Sequence, residues 1–401
     1  MYVTMRMPLI AALLLLLFVG CSETGEHNDV PNHILEMENV TIFSEKDISR
    51  ADTVYFEIEQ LFSDTETEPI STFGSVISDR YGRVYVGDSQ QRTIHVFMPD
   101  GRYLGRIGRD GDGPGEFRWV GQLSIHDQQI YAYDPNGRKI NLFEIGDNPD
   151  TLPEFVSDIS LGSDNWENVT EPNFLNPVFH SVLSDGDIIL NTRTSPLLYR
   201  QHPDSVGVSN YYLWSRFDQA SPRKILQTRQ PKPIVTEWFI IPPPFENKEI
   251  MAISGEDQFF IANTEEFLIR IINPEGDYHS AFYYPSTKAP LTRDAAVKSV
   301  DQHEQLMNAV QSMELPDSWP VLRLIFVDDE NRLWVSANVD DTNIYEWWIL
   351  QETGKLIAKF EWPRIERIAA VKDNKMYTLQ TDEQNGLQQV VRYRIEFDEV
   401  N

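Results

Sequence analysis

The side chains of greatest chemical reach in this 401-residue chain are eight histidines, a single cysteine and a recurring series of aspartates. His27 and His33 stand near the N-terminus. His95, His126, His180, His202, His279 and His303 are scattered, with none of the H-x-H, H-x₃-H or HExxH spacings that put two imidazoles on one metal. Asp79, Asp127, Asp185, Asp257, Asp328, Asp329 and Asp373 recur at predicted tight turns. There a carboxylate bonds the backbone two residues on, so they read as turn formers rather than an acidic ligand ring. No G-x-S-x-G elbow occurs, and no serine is framed by an assignable His and Asp. The sequence therefore assigns no catalytic residue and no metal ligand.

Two stretches look more promising. "EWFIIPPPF" (237–245) includes Trp238 and, with Trp214, Trp319, Arg193 and Arg200, has the composition of an apolar pocket with a few hydrogen-bond donors. "GRDGDGPGEF" (108–117) has the look of a ligand loop. A phosphate loop needs a following helix and a Lys-Ser/Thr pair, whereas "RWVGQLSI" leads into a strand. An EF-hand counted from Asp110 needs an oxygen ligand where Pro114 stands and an acid where Gly121 stands. The stretch reads as a connector between strands.

The elements that must position these residues are short strands in repeats. Residues 74–108, "GSVISDRYGRVYVGDSQQRTIHVFMPDGRYLGRIG", parse into four strands punctuated by Gly, Asp and Pro, an antiparallel meander. The pattern returns at 123–144, at 178–194 with 211–217, at 251–284, at 322–362 and at 364–397, where it stops after three strands. The unpartnered run at 53–62, "TVYFEIEQLF", supplies the missing strand and would close a ring. Units of this size, too small to bury both faces alone, stack radially as six blades. The expected fold is all-β: a six-bladed propeller of four-stranded antiparallel blades closed by an N-terminal strand. One helix is expected at 291–313, between blades four and five, started by Asp294 and carrying Val297, Val300, Leu306, Met307, Val310 and Met313 near one face. His126 and His180 fall in or beside inner strands, nearest the channel. They join Arg193, Trp238 and Trp319 as candidate ligand-pocket residues.

"GRVYVGDS" (82–89), "IHVFMPDGRYLGRIG" (94–108), "GRDGDGPGEF" and "LPDSWPVLRLIFVDDENRLWV" (315–335) resemble the NHL-type six-bladed β-propellers. More narrowly, they resemble the 6-bladed β-propeller lipoproteins of Bacteroidetes and related bacteria. The resemblance implies a fold and a cellular place, and brings no shared catalytic set.

A formal net charge of −28 with few clustered Lys or Arg excludes a nucleic-acid partner. Arg6, the apolar run 9–19 and Gly20-Cys21-Ser22 have the layout of a secretory leader, and the run is too short to span a bilayer. "FVGC" resembles a lipobox, with Phe18 where Leu is usual, so Cys21 is the expected lipidation site. The expected organisation is a leader at 1–21, a flexible acidic tether at 22–51 and a single propeller at 52–401. The expected location is the cell envelope as an outer-membrane lipoprotein, facing the periplasm or the exterior. The first functional expectation is a non-catalytic, monomeric module that binds a protein, peptide or glycan at one face of the ring without a cofactor. The alternative is a metal-dependent enzyme, lactonase- or lyase-like, with Ca²⁺ or another divalent metal held by ligands converging on the channel.

Overall fold

The same local chemistry opens the first and fifth repeats. The Asp79 carboxylate accepts from the backbone N–H of Tyr81 and Arg83, from Arg83 Nε at 2.7 Å and from the Tyr85 hydroxyl. Asp328 accepts from the N–H of Glu330 and Arg332, from Arg332 Nε at 2.7 Å and from Trp334 Nε1. Each carboxylate thus closes the first hairpin of its blade and neutralises the Arg four residues on. Asp127, Asp257 and Asp373 occupy equivalent turns with φ of 45°, 63° and 52°, a left-handed backbone that Asp tolerates better than most residues.

The computed structural model describes residues 30–49, 51–63, 70–162, 174–202, 204–215, 221–236, 240–300, 304–382 and 386–398. Six antiparallel sheets form the blades of a propeller. From inside to outside, blade one is Phe73–Ser78, Val84–Asp88, Thr93–Phe97 and Tyr103–Ile107. Blade six is Arg367–Lys372, Lys375–Thr381 and Gln388–Asp398, with Thr53–Ser63 as its outermost strand. That pairing runs antiparallel from Thr53 with Asp398 to Ser63 with Gln389 and closes the ring. Blade two gains an outer strand, Glu154–Ser160, and blade three gains Arg223–Arg229. The repeat pattern had left both blades incomplete, because these strands are solvent-facing and polar.

The core lies between blades rather than within them. Tyr85 packs with Phe143 between blades one and two, Trp334 with Met376 between five and six, and Tyr377 with Val84 across the closure. The 108–117 stretch serves this core. Gly108 has φ +74° and a Cβ there would lie 2.3 Å from the ring of Phe117, which is fully buried between blades one and two.

Two expectations change. Residues 30–49 are ordered against blade four and are not a tether. Val40–Ile42 pairs in parallel with Tyr278–Tyr283, Ile34 is buried, and the His33 Nε2 lies 2.9 Å from Glu266. Between blades four and five stand two helices instead of one, Arg293–Lys298 and Glu304–Ser312. Thr292 rather than Asp294 caps the first, its hydroxyl accepting from Ala295 N–H. The first helix ends at Ser299, whose hydroxyl donates to the Ala296 carbonyl. Arg293 fastens the pair by donating to the carbonyls of Val310 and Met313 at the end of the second helix. With Phe245, Ile234 and Trp319 the helices form their own small core, a cap over one mouth of the ring. The leader and Cys21 lie outside the described residues. Among those described, no helix is long and apolar enough to cross a membrane.

Candidate functional site

Beneath the cap, three basic residues stand where the chain enters the inner strands of successive blades. Lys248 precedes Glu249–Ile253 of blade four, Arg323 lies at the start of Leu322–Val327 of blade five, and Arg364 lies in the loop before Arg367–Lys372 of blade six. The first two are set by Thr264, which is buried at the turn after the second strand of blade four. Its hydroxyl accepts from Lys248 N–H, its N–H donates to the Lys248 carbonyl, and its own carbonyl accepts from Leu322 N–H, next to Arg323.

Two adjoining cavities share Pro244, Ser299 and Arg323 and form a two-lobed groove between cap and ring. One lobe, about 450 Å³, is lined by Glu246, Lys248, Arg323 and the proline run Pro242–Pro243–Pro244. The other, about 550 Å³, is lined by Lys298, Trp319, Arg323, Asn338, Tyr345 and Arg364. Rigid prolines and an independently packed cap give both lobes fixed walls.

The electrostatics of the groove run against those of the chain. Among the described residues no carboxylate pairs with Lys248 or Arg323, although the protein carries a net charge of −28. Burial first, and Arg323 after it, push the Lys248 ammonium down to about 8, so that it is partly a neutral amine near physiological pH. Burial raises the Glu246 carboxyl above its ordinary value, opposed by Lys232. Burial also lowers the Arg364 guanidinium, with Tyr345 and Asp341 opposing and Arg323 adding to the shift. An amine pushed toward its base form and a carboxyl pushed toward its acid form thus line one cavity. That arrangement suits proton removal and proton return.

Of the residues expected in a pocket, Trp319 alone among those described lines the groove. His126 ends the inner strand Leu123–His126 of blade two, at the opposite end of the ring from the cap, with its Nε2 at 3.3 Å from Asp127. His180 lies in Val178–Val182, its ring edge-on to Tyr211, and burial lowers it to about 4. Arg193 is exposed at the end of Ile188–Arg193 and acts at long range on Tyr133 and Tyr211. Trp238 lies outside the described residues. Lys248, Glu246, Arg323 and Arg364 were missed because they come from three blades and share no motif spacing. The available signal was a basic residue at the start of an inner strand in a strongly acidic chain. Among the described residues no group of three or more His, Cys, Asp or Glu side chains could hold a metal ion.

A family model described as a 6-bladed beta-propeller matches residues 32–163. No curated protein sequence matches the chain. Among solved structures, a member of the duf4221 family from Bacteroides vulgatus aligns with TM-score 0.50 at 11% identity, covering 86% of this chain and 99% of that one. Virginiamycin B lyase from Staphylococcus aureus, with quinupristin, aligns with TM-score 0.40 at 12% identity, covering 85% and 89%. The PQQ-bound aldose sugar dehydrogenase from Streptomyces coelicolor aligns with TM-score 0.40 at 11% identity, covering 86% and 99%. These likenesses concern the fold and carry no residue across. Two expectations, the non-catalytic module and the absence of a cofactor, are not retained, because this fold serves enzymes as well as binding modules.

Proposed function

We propose that this protein is a lipid-anchored envelope enzyme that carries out a lyase-type elimination on an anionic substrate in the groove beneath the cap. The observation that supports it is the groove itself, with Lys248 beside Arg323, no carboxylate among the described residues paired to it, and Glu246 on the wall of the same lobe. In the proposed step the neutral Lys248 amine takes a proton from the carbon next to the substrate's carboxyl group. A carbon–carbon double bond forms as the bond to the leaving oxygen breaks, and that oxygen takes a proton from solvent. Lys248 ends as ammonium. Arg323 stabilises the negative charge that develops on the carboxyl group in the transition state.

The test is formation of an unsaturated, ultraviolet-absorbing product from carboxylated sugar polymers incubated with the mature protein. Lys248→Met is expected to lower the rate by about 10²–10⁴-fold, the usual worth of a general base. For wild type the rate should rise with pH through about 8, as the amine loses its proton. An unchanged rate in Lys248→Met, or no unsaturated product from any such polymer, overturns the reading. The envelope part of the proposal draws support from the leader and Cys21. It fails if Cys21→Ser still fractionates with membranes.

A further inference from the structure

The lobe that lacks Lys248 contains donors without acceptors. Trp319 is 4% exposed, yet among the described residues its Nε1 has no hydrogen-bond partner, and Arg364 Nη2 is also buried without one. Both residues are held firmly in place. Asn338 Nδ2 donates to the Pro320 carbonyl at 2.8 Å, fixing the chain beside Trp319, and the Trp319 ring packs edge-on to Phe245. Arg364 donates through Nε to the Ile344 carbonyl at 2.7 Å, with its guanidinium 4.4 Å from the Tyr345 ring centroid and 5.8 Å from that of Trp319. A buried donor left unpaired is costly, and structures seldom leave one so without a ligand or water to meet it. Lys298 from the cap and Arg323 from blade five add two more cations to the same lobe.

We infer that this lobe is the substrate's anchoring subsite, where Trp319, Arg364, Arg323 and Lys298 receive an oxyanion: a carboxylate, or a sulfate or phosphate ester. The lobe's unpaired groups are donors, so a neutral hydroxyl-rich ligand would match them poorly, whereas an oxyanion accepts from several at once. Arg323 is shared by both lobes. It therefore couples the anchored anion to the amine: an anion bound there favours the ammonium form of Lys248 and raises the pH at which it loses its proton. The inference rests on the elimination reading for the identity of the reacting lobe, but its test does not require turnover.

Galacturonate, a sulfated galactose, inorganic phosphate and neutral galactose are titrated into the mature protein by calorimetry. At least one anion is expected to bind and galactose is not, with affinity falling as salt rises. A preference for galacturonate identifies a carboxylate subsite and the reverse order an ester subsite. Arg364→Lys and Lys298→Gln should each weaken anion binding by about tenfold, as the loss of a charge-assisted contact does. Lys298 is exposed, so its variant leaves the fold intact. Trp319→Phe, which keeps a ring and removes the N–H, should weaken binding by a smaller factor. Equal binding by wild type and all three variants, or no anion binding at all, overturns the subsite. If the anchor fails in this way while Lys248→Met still abolishes elimination, the proposed function survives. If the anchor holds and Lys248→Met turns over normally, the function falls and the subsite stands.

Discussion

The two mouths of the ring treat positive charge in opposite ways. At the mouth formed by the first hairpins, Arg83 and Arg332 each meet an aspartate four residues back at 2.7 Å, and both carboxylates are buried. At the capped mouth, no acid among the described residues pairs with Lys248 or Arg323. A paired buried charge is a structural part, because removing either partner strands the other. Unpaired basic groups gathered in a groove contribute little to the fold and are poised for something that arrives from outside. Function is placed at the capped mouth on this difference, and each prediction below either breaks it or sharpens it.

The largest effect is expected from Asp79→Ala. Arg83 would be left buried and uncompensated, a loss of about 3–5 kcal/mol in chemical denaturation. A loss below about 1 kcal/mol would mean that the hairpin mouth does not depend on its ion pairs.

His180 is a control away from both mouths, half-buried, its Nδ1 without a partner among the described residues. Its folded value of about 4 lies below its ordinary 6.5. The unfolded chain therefore binds the proton more readily, and stability present above pH 6.5 is lost as pH falls toward 4. After discounting for partial exposure, the loss is on the order of 1–2 kcal/mol. His180→Leu should flatten the stability profile over that range, and a profile parallel to wild type would place the acid sensitivity elsewhere.

Arg323→Ala should change stability by no more than about 0.5 kcal/mol, or raise it, since a like charge beside Lys248 and Arg364 is removed. A large destabilisation would show that Arg323 has a structural partner and would erase the contrast between the mouths. Lys248 itself should give an effect of the same order as His180, since the two shifts are of the same size. Its folded value of about 8 lies below the ordinary 10.5, so its charged form weighs on the native state. Wild type should gain stability on Lys248→Met as pH rises from about 8 to 10.5, and a constant difference between them would contradict the shift.

The same contrast explains what the sequence made legible. Turn aspartates, strand alternation and blade length are local patterns repeated along the chain, so six blades, their closure by Thr53–Ser63 and the turn role of Asp79 and Asp328 could all be read directly. The outer strands Glu154–Ser160 and Arg223–Arg229 were harder, because only their ladder bonds and one face define them. The ordered segment 30–49 escaped notice because its contacts are with blade four, more than 200 residues away. Trp319 stood out by composition, but the histidines were weighted for their chemistry without regard to which end of a strand they occupy. Lys248, Arg323 and Arg364 converge only after the ring closes, through Thr264 and under the cap, whose Ser299 lines both lobes with Pro244.

The most direct measurement is a pH titration of the Lys248 ¹³Cε resonance, assigned by its loss in Lys248→Met, in wild type and in Arg323→Gln. The expected result is a midpoint near 8 in wild type, well below a lysine's ordinary 10.5, that moves upward when Arg323 is neutralised. A Lys248 that titrates with the surface lysines in both proteins would mean that the capped mouth holds ordinary solvated charges, and would contradict the placement of function there.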